Sequence, residues 1–373
     1  MSNPVQKVLL VFGTRPEAIK LAPVVLALRE RPEKFATTVV TTGQHRHLVT
    51  PILQFFGITP DADLDIMREG QSPADAVVRT IERLTPILTE ENFDRLIVQG
   101  DTSSAVGAAL AGFYAKVPVA HVEAGLRSGR VDDPFPEEMN RQLISRLANL
   151  HFAPTEGNRE SLLREGVTGE TIHVTGNTVI DALYNIVERT QNRELPEALK
   201  GLEEKKVMLL TTHRRENIGE RQRRIFEGIN RLLREHEELA VVFPVHPNPN
   251  VRSAVTEILH PGERLRLLDP LDYIPFVQLM KHAWLILTDS GGVQEEAPAL
   301  GTPVLVLRET TEREEAIASG NALLVGTSME RGVEAVETLL RDEEMYRRMA
   351  TPAYPFGEGG VAKSIVQILE NAW

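Results

Sequence analysis

Short apolar runs alternate with longer amphipathic stretches along nearly the whole chain, the pattern of parallel strands covered on both faces by helices. The first series predicts strands near Lys7–Phe12, Thr37–Thr42, Arg95–Val98, Val117–Val122, Leu150–Ala153 and Ile172–Val174, with helices such as Ala18–Arg29 and Ala74–Leu88 between them. Between Val187 and Lys206 the periodicity fades into polar residues followed by Pro196, as an interdomain connection does. A second series begins at Val207–Thr211 and continues through Leu239–Phe243, Arg264–Leu268, Leu285–Leu287 and Pro303–Leu307. The expected class is α/β, with two Rossmann-like, doubly wound halves. Ligands of such sheets bind beyond the carboxyl ends of strands. The loops Gly13–Glu17, Gly100–Thr102, His213–Asn217, His246–Pro249 and Asp289–Gly292 all follow predicted strands, so they are expected to converge on one cleft.

Composition narrows the function. A chain of 373 residues exceeds the size at which one core keeps growing, in line with two domains. The net charge of −12 argues against a nucleic-acid binder, which needs a basic footprint, so an anionic ligand must be met by local cations. With no cysteine there is no disulfide, thiolate nucleophile or zinc–thiolate site, and a cytosolic enzyme fits. The apolar run Val8–Phe12 is far too short for a membrane span and no cleavage pattern follows it, so no membrane partner is expected. Neither a phosphate-binding G-x-x-x-x-G-K-[ST] loop, a G-x-G-x-x-G fingerprint nor an H-E-x-x-H motif occurs, and no cofactor or metal is expected. Asp61–Asp65 superficially resembles a D-x-D motif but does not follow a buried strand, and is read as a solvated loop.

The richest segment is Asp289-Ser290-Gly291-Gly292-Val293-Gln294-Glu295-Glu296, where a strand, a glycine turn and a helix start follow in anion-binding order. Two glycines without Cβ atoms let a diphosphate approach the backbone, and Glu296 one turn later suits ribose hydroxyls. The alternative is a glycine turn with helix-capping acids. After the first strand, Arg15 and Lys20 are candidates to face a pyrophosphate, or else form a surface Arg15–Glu17 pair and an exposed lysine. Asp101 either opens into the cleft or caps the next helix; Glu123 has no helix start to cap. Glu137 and Arg141, four apart, share a helix face as a plain ion pair or as a positioned acid. His213, beside Arg214 and Arg215, is placed to bind an anionic oxygen; His246 occupies a similar strand exit, and Arg313 follows a later strand.

On the segments Phe12–Pro23, Thr41–His45, Gln99–Thr102, His121–Arg127, Pro134–Arg141, Val174–Asp181, His213–Asn217, Asp269–Phe276, Thr288–Glu296 and Thr310–Arg313, the chain resembles the bacterial non-hydrolysing UDP-N-acetylglucosamine 2-epimerases. The resemblance implies a GT-B architecture with domains at 1–187 and 188–354, a final helix in 355–373 returning to the first, and a homodimer. It implies that Arg15, Lys20, Asp101, Glu123, Arg141, His213, Phe276, Ser290, Gly291, Gly292, Glu296 and Arg313 surround UDP or the sugar, with Phe276 near uracil. Asp101, Glu123 and Glu137, with His213, are the implied catalytic groups. Three departures stand out: Leu271 replaces a frequent Gln, Glu314 replaces a proline after Arg313, and His47 and Gly70 replace two residues of an activator site of which Gln44, Arg214 and His246 remain.

The C2 hydrogen of such a sugar adjoins an acetal carbon, so direct deprotonation gives an unstabilised carbanion. Departure of UDP from C1 acidifies it, and elimination to 2-acetamidoglucal followed by re-addition is the expected route. A GT-B glycosyltransferase using the same nucleotide lobe is the alternative.

Overall fold

The computed structural model describes residues 4–214, 217–326 and 329–372. Arg215 and Glu216 of the predicted His213–Asn217 loop lie outside the described residues, as does Trp373. The chain divides into two units, one running through Ala182 and resuming at Phe356, the other Leu183–Pro355.

The first unit contains strands β1 (Gln6–Phe12), β2 (Phe35–Thr41), β3 (Ala62–Asp63), β4 (Arg95–Gln99), β5 (Val119–Val122), β6 (Leu150–Ala153) and β7 (Ile172–Val174). Between them run α1 (Arg15–Arg29), α2 (Arg46–Phe56), α3 (Pro73–Glu91), α4 (Ser103–Tyr114), α5 (Glu137–Leu147) and α6 (Glu156–Arg164), and α7 (Val179–Thr190) carries the chain across the division. The second unit contains β8 (Lys206–Thr211), β9 (Leu239–Pro244), β10 (Leu265–Leu268), β11 (Leu285–Thr288), β12 (Val304–Val306) and β13 (Ala322–Leu324). Its helices are α8 (Glu220–Glu235), α9 (Pro249–Ile258), α10 (Tyr273–His282), α11 (Gly291–Leu300), α12 (Glu314–Ala318), α13 (Met329–Arg341) and α14 (Glu343–Met349); α15 (Val361–Asn371) belongs to the first unit.

Both sheets are parallel, with orders β3-β2-β1-β4-β5-β6-β7 and β10-β9-β8-β11-β12-β13. The expected α/β class, two Rossmann-like units of the GT-B type, is what is found. In each sheet the order reverses beside the first strand, between β1 and β4 and between β8 and β11, and such a reversal opens the crevice where ligands bind. The strands form where the sequence carries runs such as Val8-Leu9-Leu10-Val11 and Leu239-Ala240-Val241-Val242, buried on both faces. One reading needs correction: Asp61–Asp65 is not a plain solvated loop, because Ala62 and Asp63 pair with β2 as an edge strand. Val39 N–H donates to Asp61 Oδ2 at 2.7 Å, and the buried Leu64 and Ile66 anchor the segment. No described helix is long and apolar enough to cross a membrane.

α15 packs on α1 through Val361, Ala362, Ile365, Val366 and Leu369, and burying each of the larger aliphatic side chains contributes roughly 1.5–3 kcal/mol. Its start is held by one carboxylate: Asp181 accepts from the amides of Gly360 (2.6 Å), Val361 (3.3 Å) and Ala362 (2.6 Å). These are helix-start donors that have no partner inside the helix. Asp181→Ala is therefore expected to lower stability by about 1–3 kcal/mol in urea denaturation and to speed amide exchange in α15; unchanged exchange there would remove Asp181 as the anchor.

Candidate functional site

Two half-sites lie at the two strand-order reversals. In the first unit, Thr14 precedes α1 and Glu17 sits in its first turn, as Pro16 and Glu17 favour. Glu17 is not the surface partner of Arg15. It is buried and accepts from Gly13 N–H (2.9 Å), Thr14 N–H (2.7 Å) and, across the crevice, Thr102 Oγ1 (2.6 Å). Burial raises its carboxyl above the ordinary 4.5, against the lowering effect of those donors. The side chain of Arg15, half-buried at the helix start, makes no hydrogen bond or ion pair among the described residues.

Glu123 leaves β5 with φ of 65°, a left-handed backbone that costs a non-glycine residue on the order of 1–3 kcal/mol and marks functional positions. Two residues on, Gly125 is obligatory: at its φ of 90° an added Cβ would lie 2.2 Å from the Asn158 carbonyl oxygen. Lys20 donates to Glu123 Oε1 at 2.6 Å, and Gln99 Nε2 donates to the other carboxylate oxygen. Lys20 is thus turned toward an acid of its own unit, not held free for a pyrophosphate.

Asp101 does not cap α4, because Thr102 Oγ1 does so by accepting from Ala105 N–H at 3.0 Å. Its carboxylate instead accepts from Arg141 Nη2 (2.5 Å) and Nε (3.2 Å), and its carbonyl from Asn140 Nδ2 (2.8 Å). Of the two readings of Glu137, the plain ion pair with Arg141 does not form among the described residues: Arg141 takes Glu138, one residue later and fully buried, at 3.1 Å. Glu137 is left partly exposed with no partner among the described residues. From β5, His121 Nε2 meets the Gly100 carbonyl at 2.7 Å; burial depresses its pKa to about 3, so the neutral ring donates that bond. Gln44, at the exit of β2, accepts from Ser104 Oγ at 2.6 Å.

In the second unit, buried Asp289 ends β11 and accepts from the Thr212 hydroxyl (3.1 Å), the amides of His213 (2.9 Å) and Arg214 (3.0 Å), and Asn217 Nδ2 (2.9 Å). Burial alone would raise its carboxyl; His213, the Arg214 amide and Asn217 outweigh it and bring it down to about 2. His213 Nδ1 lies 3.1 Å from Asp289, and its ring stacks on His246 at 5.7 Å between centroids. Burial and the charge of His213 lower the proton affinity of His246. Arg214 keeps a buried Nε without a partner among the described residues.

The α11 start is uncapped. Ser290 makes no side-chain cap, its own N–H goes to Thr288 Oγ1 at 3.0 Å, and the next amides, Gly291 to Val293, meet no acceptor among the described residues. The two glycines differ in what they permit. A Cβ at Gly291 would meet Arg313 Cζ at 2.9 Å, whereas at Gly292 the nearest atom is Glu296 Oε1 at 3.6 Å, so the space for a ligand is over Gly292. Arg313 is held by Glu295 (2.8 Å) and Glu312 (3.5 Å). Glu296 accepts from Tyr273 Oη at 2.6 Å, and Phe276 lies one turn further along α10, half-buried.

The chain matches known proteins over nearly all of its length. The sequence model described as UDP-N-acetylglucosamine 2-epimerase covers residues 26–370. The chain belongs to the UDP-N-acetylglucosamine 2-epimerase family. A Yersinia pestis UDP-N-acetylglucosamine 2-epimerase is 50% identical over 98% of both chains. A Listeria monocytogenes crystal structure is 44% identical with a TM-score of 0.93, covering 99% of this chain and 97% of its own. The Neisseria meningitidis UDP-GlcNAc 2-epimerase, solved bound to UDP-GlcNAc, is 43% identical with a TM-score of 0.89, covering 98% and 100%. Membership makes the chain an isomerase.

Sequence reasoning missed Gln99, Glu138 and the role of Asp289. The last was within reach, since an acid closing an apolar strand is the same signal that picked out Asp101. The burial of Glu17 also sets a pH dependence. A carboxyl whose folded pKa is raised above 4.5 contributes stability at low pH that is lost as pH rises through the raised value. Glu17→Gln does not titrate, so urea denaturation from about pH 4 upward is expected to show the wild type losing ground to the variant; a difference that is flat or opposite in slope argues against a buried, cation-free Glu17.

Proposed function

We propose that the chain interconverts UDP-N-acetylglucosamine and UDP-N-acetylmannosamine by eliminating UDP and adding it back. The observation that carries the reading is a division of charge. The first unit gathers three acids held in different ways: Glu123 by Lys20 and Gln99, Asp101 by Arg141, and Glu137 by nothing among the described residues. The second offers uncapped amides and a positioned histidine to an anion. The bound ligand of the Neisseria meningitidis relative, UDP-GlcNAc, has the matching chemistry, a diphosphate joined to a sugar.

In this reading the diphosphate is the ligand of Gly291, Gly292, Ser290 and His213, with Arg15 as a further cation. Tyr273-supported Glu296 takes the ribose and Phe276 the base. As the C1–O bond breaks, its electron pair passes to the β-phosphate oxygen, where fixed donors in a dry site stabilise it better than water does. A carboxylate removes the C2 proton, giving 2-acetamidoglucal. A proton delivered to the other face of C2, and return of UDP to C1, complete the inversion with no net change in composition. Glu123, strained and fixed at two oxygens, is our choice for one transfer, and Asp101 or Glu137 for the other.

The test is incubation with UDP-N-acetylglucosamine in D₂O without an acceptor. The manno product with deuterium at C2 is expected; a well-folded preparation that exchanges nothing refutes the proposal, and a strict need for an acceptor points to glycosyl transfer. Glu123→Gln is expected to keep UDP binding while kcat drops by roughly 10²–10⁴-fold; an unaltered kcat takes Glu123 out of the chemistry. The same reading includes a homodimer, supported by exposed Phe113, Tyr114 and Leu143 on the mutually packed α4 and α5. Light scattering is expected to give twice the chain mass of 41.5 kDa, and a monomer at micromolar concentration would rule the dimer out.

A further inference from the structure

Asp289 is fully buried at the end of β11 and is surrounded by donors from a single neighbouring loop. One of its oxygens meets His213 Nδ1 at 3.1 Å. Asn217, which donates to Asp289, also donates to the Leu307 carbonyl at 3.1 Å, so the loop after β8 is tied to the ends of both β11 and β12. The His213 ring is stacked on one side against His246, whose own Nδ1 accepts from Asn248 N–H at 3.2 Å. His213 Nε2 has no partner among the described residues, and the side chain keeps 38% of its exposure. Among the described residues, the charged and titratable groups around the ring are Asp289 after β11, His246 after β9, and Arg214 in its own loop.

We propose that Asp289 is a positioning residue for the reaction: it holds His213 with Nδ1 toward the protein and Nε2 toward the departing diphosphate. The assignment rests on the epimerase reading of His213 given above. A carboxylate at Nδ1 fixes the tautomer and the ring orientation, so that the ring, when protonated, presents Nε2–H to the β-phosphate oxygen as that oxygen gains charge. No bond to Asp289 forms or breaks. Because Ser290 and Gly291 follow directly in the chain, the same residue sets the spacing between the histidine and the amides at the start of α11.

The experiment is ¹⁵N NMR of the UDP-bound full-length chain, with steady-state kinetics of wild type and Asp289→Asn. Neutral His213 is expected to carry its proton on Nδ1. In Asp289→Asn the Nδ1–H tautomer is expected to lose its dominance and kcat to drop by roughly 10²–10⁴-fold, while UDP affinity stays within about tenfold. A wild-type neutral ring protonated on Nε2 overturns the proposal. So does a variant in which UDP affinity falls in parallel with kcat, as a merely structural role produces. Should Asp289→Asn not fold, the wild-type tautomer decides alone. A chain that leaves UDP-N-acetylglucosamine unchanged refutes the function, and the tautomer separates that failure from a misassigned Asp289.

Discussion

A buried carboxylate spans the strand-order reversal in each unit, and the geometry around both half-sites follows from it. Where β1 and β4, or β8 and β11, send their chains apart, nothing in the sheet ladder fixes the two loops to each other. Glu17 does so in the first unit by accepting from Gly13, Thr14 and Thr102. Asp289 does so in the second by accepting from the residues that leave β8. A buried acid is costly unless its lone pairs are filled, so each one also forces its donors into a single arrangement.

The two bridges have opposite consequences for an anion. Glu17 comes from the first turn of α1 and occupies the Gly13 and Thr14 amides at that exit. Asp289 uses up the amides after β8 and leaves those at the start of α11 open. Their titration differs for the same reason: no cation among the described residues meets Glu17, whose burial prevails, while His213 reaches Asp289. Cations divide similarly. Lys20, Arg141 and Arg313 neutralise acids of their own units, whereas Arg15 and the Nε of Arg214 are uncommitted among the described residues.

Much of the fold was readable because parallel strands buried on both faces need unbroken apolar runs, and Val8–Phe12 or Leu285–Leu287 can be little else. Ala62–Asp63 and Ala322–Leu324 escaped, being too short to show any period and defined only by their neighbours in the sheet. The glycine turn at Asp289–Gly292 was legible as an anion cradle, because amides at a helix start need only the right local order. Partner choice was not. Glu137 and Glu138 are adjacent, and both are within one helical turn of Arg141; only the burial of Glu138 decides between them. Lys20 and Glu123 are 103 residues apart, a pairing that no local pattern encodes.

The anchoring of α15 by Asp181 makes the first unit discontinuous in the chain. During synthesis the intervening unit emerges whole while α1 still lacks its covering helix. The earlier-made portion can therefore close its apolar surface only after α15, which follows the whole second unit, has been made. Until then the nascent chain carries one finished half and one exposed flank, the kind of intermediate that chaperones recognise.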